Sequence, residues 1–164
     1  MKKQSNEALK YALRLITKKD RTEAEIRHRL YRKGFSQMDI EDAVVYLKQN
    51  GFIDDRRFIQ KAEKIAQDRF LGNMGLKNYF IRRGIDKELV DSIPEIEEIL
   101  LAQKLIKRKI HLIKHESSDK KRAKIAGYLL RRGFSWETVN KCLNEKFLGD
   151  IESPENDNLK EEIQ

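Results

Sequence analysis

The sequence predicts an all-α protein: an elongated array of three tandem three-helix repeats, followed by a disordered acidic tail. Three observations support this fold class. A motif of two basic residues, a glycine and an apolar residue occurs three times, and its glycines, Gly34, Gly84 and Gly133, are 50 and 49 residues apart. Apolar residues around each motif follow helical spacing. The 164 residues include only 2 prolines and 8 glycines, fewer than a loop-rich β fold needs.

The first repeat is predicted to span residues 7–53. Thr22 and Glu25 have the spacing of a capping box, which predicts the start of the second helix. That helix should end at Gly34, because glycine tolerates the left-handed conformation found just beyond helix ends. Ser36 is the predicted N-cap of the third helix. The first helix carries an apolar stripe formed by Ala8, Leu9, Ala12, Leu13 and Ile16.

The second and third repeats, residues 54–95 and 96–148, follow the same plan. Asp86 and Ser135 are the predicted N-caps of their third helices. Cys142 occupies the position that Ala43 and Ile93 fill in the other repeats, so we expect it to be a buried small hydrophobe. The first helix of the second repeat is predicted from a stripe formed by Phe58, Ala62, Ile65 and Ala66.

Charge is unevenly distributed along the chain. Residues 149–164 carry six acids and one lysine, a net charge of −5 against +8 for the whole chain, which leaves +13 on the other 148 residues. The tail has few apolar residues and is predicted to be disordered. So basic a body is typical of proteins that bind polyanions, most often nucleic acid. The alternative is that the cations only solubilise a helical surface.

Basic residues recur at the end of each predicted second helix. One interpretation is that they only satisfy terminal carbonyls of those helices. The other is that the array aligns them into a row that follows phosphates or an acidic protein groove. Trp136 could stack on a base, contact a partner or pack on its own repeat. The candidate binding residues are therefore Arg27, Arg29, Arg32, Lys33, Lys77, Arg82, Arg83, Lys124, Arg131, Arg132 and Trp136.

No pattern in the sequence favours catalysis, a metal or a cofactor. His111 and His115 have helical spacing but lie among lysines, and Asp54 and Asp55 stand at a helix start, where acids act as caps. The single cysteine excludes a disulfide framework. No apolar run has the length of a signal peptide core or a membrane span, so we expect a cytoplasmic protein without a membrane partner.

Five segments carry a resemblance to a known family. They are LITKKDRTEAEI at 15–26, GF at 34–35, GFIDDRRF at 51–58, RRGI at 82–85 and RGFS at 132–135. The five segments occur in this order, spread over most of residues 8–146. On these segments the chain resembles the RecX regulators of RecA.

The resemblance implies a non-enzymatic protein that binds RecA and its nucleoprotein filament. It implies inhibition or modulation of recombinase, ATPase and co-protease activity in recombination and DNA repair, without a cofactor, and we expect a monomer. Two other readings remain open at this point. One is a stand-alone protein that binds single- or double-stranded DNA through helix-turn-helix-like repeats, although the third helices carry few cations. The other is a pure protein adaptor.

Overall fold

The computed structural model describes residues 3–110, 112 and 117–144, and this part of the chain contains helices and no strand. The all-α prediction is confirmed. The predicted histidine pair, His111 and His115, and the acidic tail at 149–164 lie outside the described residues. The ten helices of the described part are α1 (Lys3–Lys18), α2 (Glu23–Arg32), α3 (Gln37–Gln49), α4 (Asp55–Ile59), α5 (Ala62–Arg69), α6 (Asn73–Arg82), α7 (Lys87–Asp91), α8 (Glu98–Ile110), α9 (Ser118–Arg131) and α10 (Trp136–Cys142).

Contacts between residues group the chain into two compact units. The first unit comprises Met1–Glu63 and Lys77–Pro94, and the second comprises Lys64–Leu76 and Glu95–Gln164. Residues of the predicted second repeat belong to both units. The boundaries of the three repeats therefore stay a prediction.

In the first unit, α1 packs on α3 and α2 around an aliphatic core. The predicted caps are present: Thr22 and Glu25 form a capping box, and the Ser36 hydroxyl accepts a hydrogen bond from the Asp39 backbone N–H at 3.2 Å. These caps fix where α2 and α3 begin, and so which faces they bury. The core residues are Ala8, Leu9, Ala12, Ile26, Leu30, Ile40, Ala43, Val44, Leu47 and Ile53.

The stripe that predicted one helix from Phe58 to Ala66 is divided in the structure. Helix α4 ends at Ile59 and α5 begins at Ala62. Just beyond the end of α4, the Lys61 backbone N–H donates to the Phe58 carbonyl at 3.2 Å, a three-residue turn where a continuous helix would use a four-residue spacing. Phe58 then packs edge-on against Phe80 in the first unit, with ring centroids 5.9 Å apart.

The second unit is built on α8, which packs against α10 and α9. Its core is formed by Leu101, Ala102, Leu105, Ile106 and Ile110 of α8 together with Ile125, Leu129, Phe134, Val139 and Cys142. Cys142 is fully buried, as predicted, and burial raises the pKa of its thiol to about 11. The thiolate needed for nucleophilic chemistry is therefore disfavoured at neutral pH.

The second helices of the three predicted repeats end in the same way. In α2, α6 and α9, the glycine beyond the helix adopts a positive φ, +89° at Gly34, +76° at Gly84 and +77° at Gly133. Each glycine N–H donates at 2.9 Å to the carbonyl three residues earlier. The glycine motif that revealed the repeat in the sequence is thus a repeated helix end.

Candidate functional site

Arg83, one of the predicted binding residues, is held by its own unit. Its guanidinium donates to the Glu25 carboxylate at 2.9 and 2.7 Å, to the Tyr79 hydroxyl at 2.7 Å and to the Asp20 carbonyl at 3.0 Å. It also lies 4.5 Å from the ring centroid of Phe58, and only 10% of the side chain is exposed. Burial alone would lower the pKa of this guanidinium, but Glu25 outweighs it and raises the pKa. Arg83 thereby fixes the end of α6 to the segment that begins α2.

Arg132 repeats this arrangement in the second unit, 49 residues later. Its guanidinium donates to the Arg69 carbonyl at 2.8 Å and to the Tyr128 hydroxyl at 3.4 Å. The guanidinium carbon lies 5.5 Å from the Tyr128 ring centroid, the same distance that separates Arg83 from the ring of Tyr79. Two residues predicted to bind a partner therefore have equivalent structural contacts.

Both arginines belong to contacts that we call helix-end junctions, in which the end of one second helix meets the start of another. In the first unit α6 meets α2, and the Thr22 hydroxyl donates to the Arg83 carbonyl at 2.6 Å. In the second unit α9 meets the start of α6, where the Gly72 and Met74 N–H groups donate to the carbonyls of Arg132 and Gly133, both at 3.1 Å. The backbone groups that each helix end leaves unpaired thus satisfy one another, and helix dipoles meet with opposite signs.

Each junction also uses a carboxylate from a neighbouring helix start. In the first unit, Asp55 accepts a hydrogen bond from the Glu23 N–H at 3.1 Å. In the second unit, Glu98 accepts from the Asn73 N–H at 2.6 Å and from the Ser135 N–H at 2.9 Å, so one side chain serves the starts of α6 and α10. Asp55 therefore serves the start of α2 and not the start of its own helix, which was the role predicted for it. The role of Glu98 was not predicted, because Glu95, Glu97 and Glu98 all stand near the same helix start.

Glu98 is a buried charge, with 5% of its surface exposed. Burial alone would raise the pKa of its carboxyl, but hydrogen bonds from Asn73, Ser135 and Thr138 outweigh burial and hold the pKa below the ordinary value of 4.5. A carboxyl with a lowered pKa in the folded state stabilises the fold above its unfolded pKa. This contribution is lost as the pH falls through the lower, folded-state value.

We therefore expect Glu98→Gln to lower the free energy of unfolding most at neutral pH and progressively less as the pH falls. Urea unfolding followed by circular dichroism at pH 7, 5 and 3.5 measures the difference in unfolding free energy between parent and variant. That difference should narrow below about pH 4.5 as the parent carboxyl protonates. Glu97→Gln, on the same helix start, provides the control for the loss of one negative charge. An equal difference at all three pH values would contradict the assignment.

The junctions divide the basic pairs into two classes of cation. The guanidinium groups of Arg83 and Arg132 are hydrogen-bonded within their own units. The binding role predicted for these two residues stays a prediction. The first member of each pair, Arg32, Arg82 or Arg131, is exposed, and none of the three forms an ion pair with a described residue. Lys33 is exposed as well. We call Arg32, Lys33, Arg82 and Arg131 the exposed end cations.

The other predicted binding residues differ in their surroundings. Arg27 is paired with Glu23 at 2.8 Å and with Glu41 at 2.7 Å, and the hydrogen bond that it donates to Glu41 is the main reason that its pKa is raised. Lys77 lies 3.7 Å from Asp91. Three further candidates are exposed: Arg29 in the last turn of α2, Lys124 in α9, and Trp136 at the start of α10, with 62% of its surface accessible.

The first unit brings two groups of candidate cations to opposite ends of α2. Arg29, Arg32 and Lys33 stand at its C-terminal end, and Arg82 lies beside the junction at its N-terminal end. Ten residues of α-helix separate the groups by about 15 Å. In the second unit, Arg131 ends α9 and Trp136 begins α10 five residues later, whereas Lys124 lies two turns earlier, about 10 Å along the helix.

These helix ends share a second feature, which was not predicted from the sequence. An exposed apolar residue directly precedes three of the four exposed end cations: Tyr31 precedes Arg32, Ile81 precedes Arg82, and Leu130 precedes Arg131. The signal was available, because these residues recur at the same 49- to 50-residue period as the glycines.

The described residues contain no group of three or more side chains suited to hold a metal ion. Asp54, like Asp55, is a helix cap: it accepts from the Arg57 N–H at 3.1 Å. Among the helices that the structure describes, none has the length and apolar character that crossing a bilayer requires.

Comparison with known proteins gives consistent matches. Residues 8–47 match the family model described as RecX, first three-helix domain, and residues 96–143 match the model described as RecX, third three-helix domain. The Clostridium acetobutylicum protein named Regulatory protein RecX is 31% identical over 146 residues, which cover 83% of this chain and 67% of that protein. The Yersinia enterocolitica protein of the same name is 28% identical over 164 residues, covering 85% of this chain and 98% of that protein.

The fold also matches a solved structure. The crystal structure of RecX from Lactobacillus salivarius superimposes with a TM-score of 0.73 at 17% identity, over 90% of this chain and 98% of that one. The two family models together span more than half of the chain. The relatives match over most of their length, and the chain has the repeated helix ends described above. The chain therefore belongs to the RecX family of regulatory proteins.

Proposed function

We propose that this protein is a non-enzymatic, cytoplasmic regulator that binds RecA and its nucleoprotein filament as a monomer. Binding would inhibit or modulate the recombinase, ATPase and co-protease activities of RecA. Membership of the RecX family supports the choice of partner. The observation that carries the proposal is the recurrence of exposed cations at the ends of α2, α6 and α9 that form no ion pair with any described residue.

These cations suit a surface that carries repeated negative charge. A RecA filament is a polymer of one protein on one DNA strand, so acidic side chains and phosphates recur along it at regular intervals. Binding of exposed cations to such groups costs little free energy, because no ion pair with a described residue of the protein has to break. A chain bound across neighbouring protomers would hinder their exchange and the conformational changes that accompany ATP hydrolysis.

The stand-alone DNA-binding alternative is disfavoured by the third helices. A helix-turn-helix protein places the N-terminal residues of its recognition helix against base edges and phosphates. Here the first turns of α3, α7 and α10 contain Asp39, Glu88 and Glu137. Glu137 is exposed, and its partner Lys141 lies on the same helix at 2.6 Å. Carboxylates at these positions would repel DNA phosphates.

The test is single-stranded-DNA-dependent ATP hydrolysis by RecA with the protein titrated in. The parent should inhibit hydrolysis, and a variant with Arg82→Glu and Arg131→Glu should need an at least tenfold higher concentration for half-inhibition, with the loss greatest at low salt. Arg83 and Arg132 are left unchanged, since their replacement would damage the junctions.

The matched control reverses two exposed lysines that lie on α5 and α8, away from the ends of α2, α6 and α9: Lys64→Glu and Lys104→Glu, with the same change in net charge. Circular dichroism of all three proteins should show equal helix content. If the control variant lost as much inhibition as the test variant, the loss would result from the change in net charge and not from the position of the cations. A parent without any effect on hydrolysis would refute the proposed function.

A further inference from the structure

Each second helix exposes a pair of neighbouring residues with different chemistry at its C-terminal end. We call these pairs the end patches: Tyr31–Arg32 on α2, Ile81–Arg82 on α6 and Leu130–Arg131 on α9. The apolar members are exposed by 71%, 43% and 43% respectively. Large apolar residues scattered singly on a surface are common. Three at one repeated position form a pattern, each beside a cation that has no ion-pair partner in the described part of the chain.

The end patches lie on the outer faces of their helices. On α6, Met74, Asn78, Ile81 and Arg82 are spaced so that they share one face, and Met74, Asn78 and Arg82 are exposed with Ile81. The opposite face buries Leu76 and Phe80. Ile81 is therefore not a core residue that happens to be accessible, and the hydrophobic cores of the two units do not require it.

The apolar members distinguish between two classes of partner. A cation alone serves a phosphate and a carboxylate equally well. Tyr31 could stack on a nucleic-acid base, but Ile81 and Leu130 have no aromatic face to do so. The three residues share apolar surface, and the free energy falls when such surface is removed from water against other apolar groups. A protein surface offers such groups, and a phosphate backbone does not.

We propose that the end patches bind an acidic protein surface, on which an apolar recess lies beside a carboxylate, and that they do not bind nucleic acid. Three chemically equivalent patches suit a partner that presents the same recess on each of several identical subunits. The inference rests on the proposed function, in which the protomers of a RecA filament are that partner. Charge complementarity supports it, because Arg32, Arg82 and Arg131 have no ion-pair partner among the described residues.

The test removes the apolar surface and leaves the charge unchanged. Ile81→Ser and Leu130→Ser are combined in one variant. The control variant combines Val45→Ser and Leu100→Ser, which remove exposed apolar side chains from α3 and α8 instead. Each protein, labelled at its N-terminus, is titrated with RecA filaments assembled on single-stranded DNA with a non-hydrolysable ATP analogue, and separately with the same DNA alone. Fluorescence anisotropy reports binding.

We expect the patch variant to bind filaments about tenfold more weakly or worse, with its binding to free DNA unchanged and the control variant equal to the parent. Equal filament binding by parent and patch variant would overturn the inference, even if the parent inhibits ATP hydrolysis. Weaker binding to free DNA would overturn it in favour of a nucleic-acid contact.

A parent that binds filaments without affecting hydrolysis would refute the proposed function, while the same titrations still decide the inference. A parent that binds no filament would overturn both.

Discussion

Gly133→Ala should destabilise the second unit by about 4 kcal/mol or more. Gly133 has a φ of +77°, which costs an L-residue about 1 to 2 kcal/mol. The larger effect is steric, because a Cβ at this position would overlap the backbone N and Cα of Gly75 in the first turn of α6. Backbone atoms inside a helix cannot move aside singly, so the junction between α9 and α6 would have to separate. Urea unfolding followed by circular dichroism measures the loss.

Gly34→Ala is the matched control for this substitution. Gly34 stands at the equivalent position beyond α2 and has a φ of +89°, but a Cβ added there would meet no described atom within 4 Å. We expect a cost of about 1 kcal/mol, the backbone penalty alone. The difference between the two variants therefore isolates the steric cost at the junction. Equal costs would show that α9 does not approach α6 as closely as the structure has it.

Arg83→Met should destabilise the first unit by about 2 to 3 kcal/mol. The change removes both hydrogen bonds to Glu25 and those to Tyr79 and the Asp20 carbonyl, while methionine keeps much of the apolar contact with Phe58. Glu25 would then be left half-buried without its strongest partner. Thermal and urea unfolding at pH 7 provide the measurement.

The neighbouring substitution Arg82→Met gives the comparison, since it makes the same change in charge and volume one position earlier. Arg82 is exposed and forms no ion pair with a described residue, so its replacement should change the unfolding free energy by no more than about 0.5 kcal/mol. In the ATP hydrolysis assay we expect the reverse order among folded proteins, with Arg82→Met weakening inhibition. Similar stabilities for the two variants would mean that Arg83 does not hold the junction.

The features that could be predicted from the sequence are those that local chemistry determines. The Thr22–Glu25 box, the Ser36 and Ser135 caps and the left-handed glycines depend on residues within one turn of each other, and all are present in the structure. The position of Cys142 followed from its equivalence with two other apolar sites. The repeat strengthened two of these local signals, because the third-helix cap and the glycine each occur three times in the sequence.

The division within the basic pairs could not be predicted in this way. Arg82 and Arg83 are the same residue type at adjacent positions, but one step along a helix rotates a side chain by about 100°. Whether that rotation turns a side chain towards Glu25 or towards solvent depends on the packing of α6 on α2, which brings together residues 58 positions apart. The same holds for Glu98, whose partners Asn73 and Ser135 are 25 and 37 residues away.

The helix-end junctions give the chain a polarity, as in a polymer whose monomers join head to tail. Each junction uses the start of one second helix and the end of another, so among the described residues one start and one end take part in no junction. At α2 the unused end is the C-terminus, where the surroundings of Gly34 are open. At α9 it is the N-terminus, where Ser117 makes no side-chain capping hydrogen bond. A duplicated repeat that formed one more junction of this kind would therefore join at one of these two ends, in the same orientation as the existing repeats.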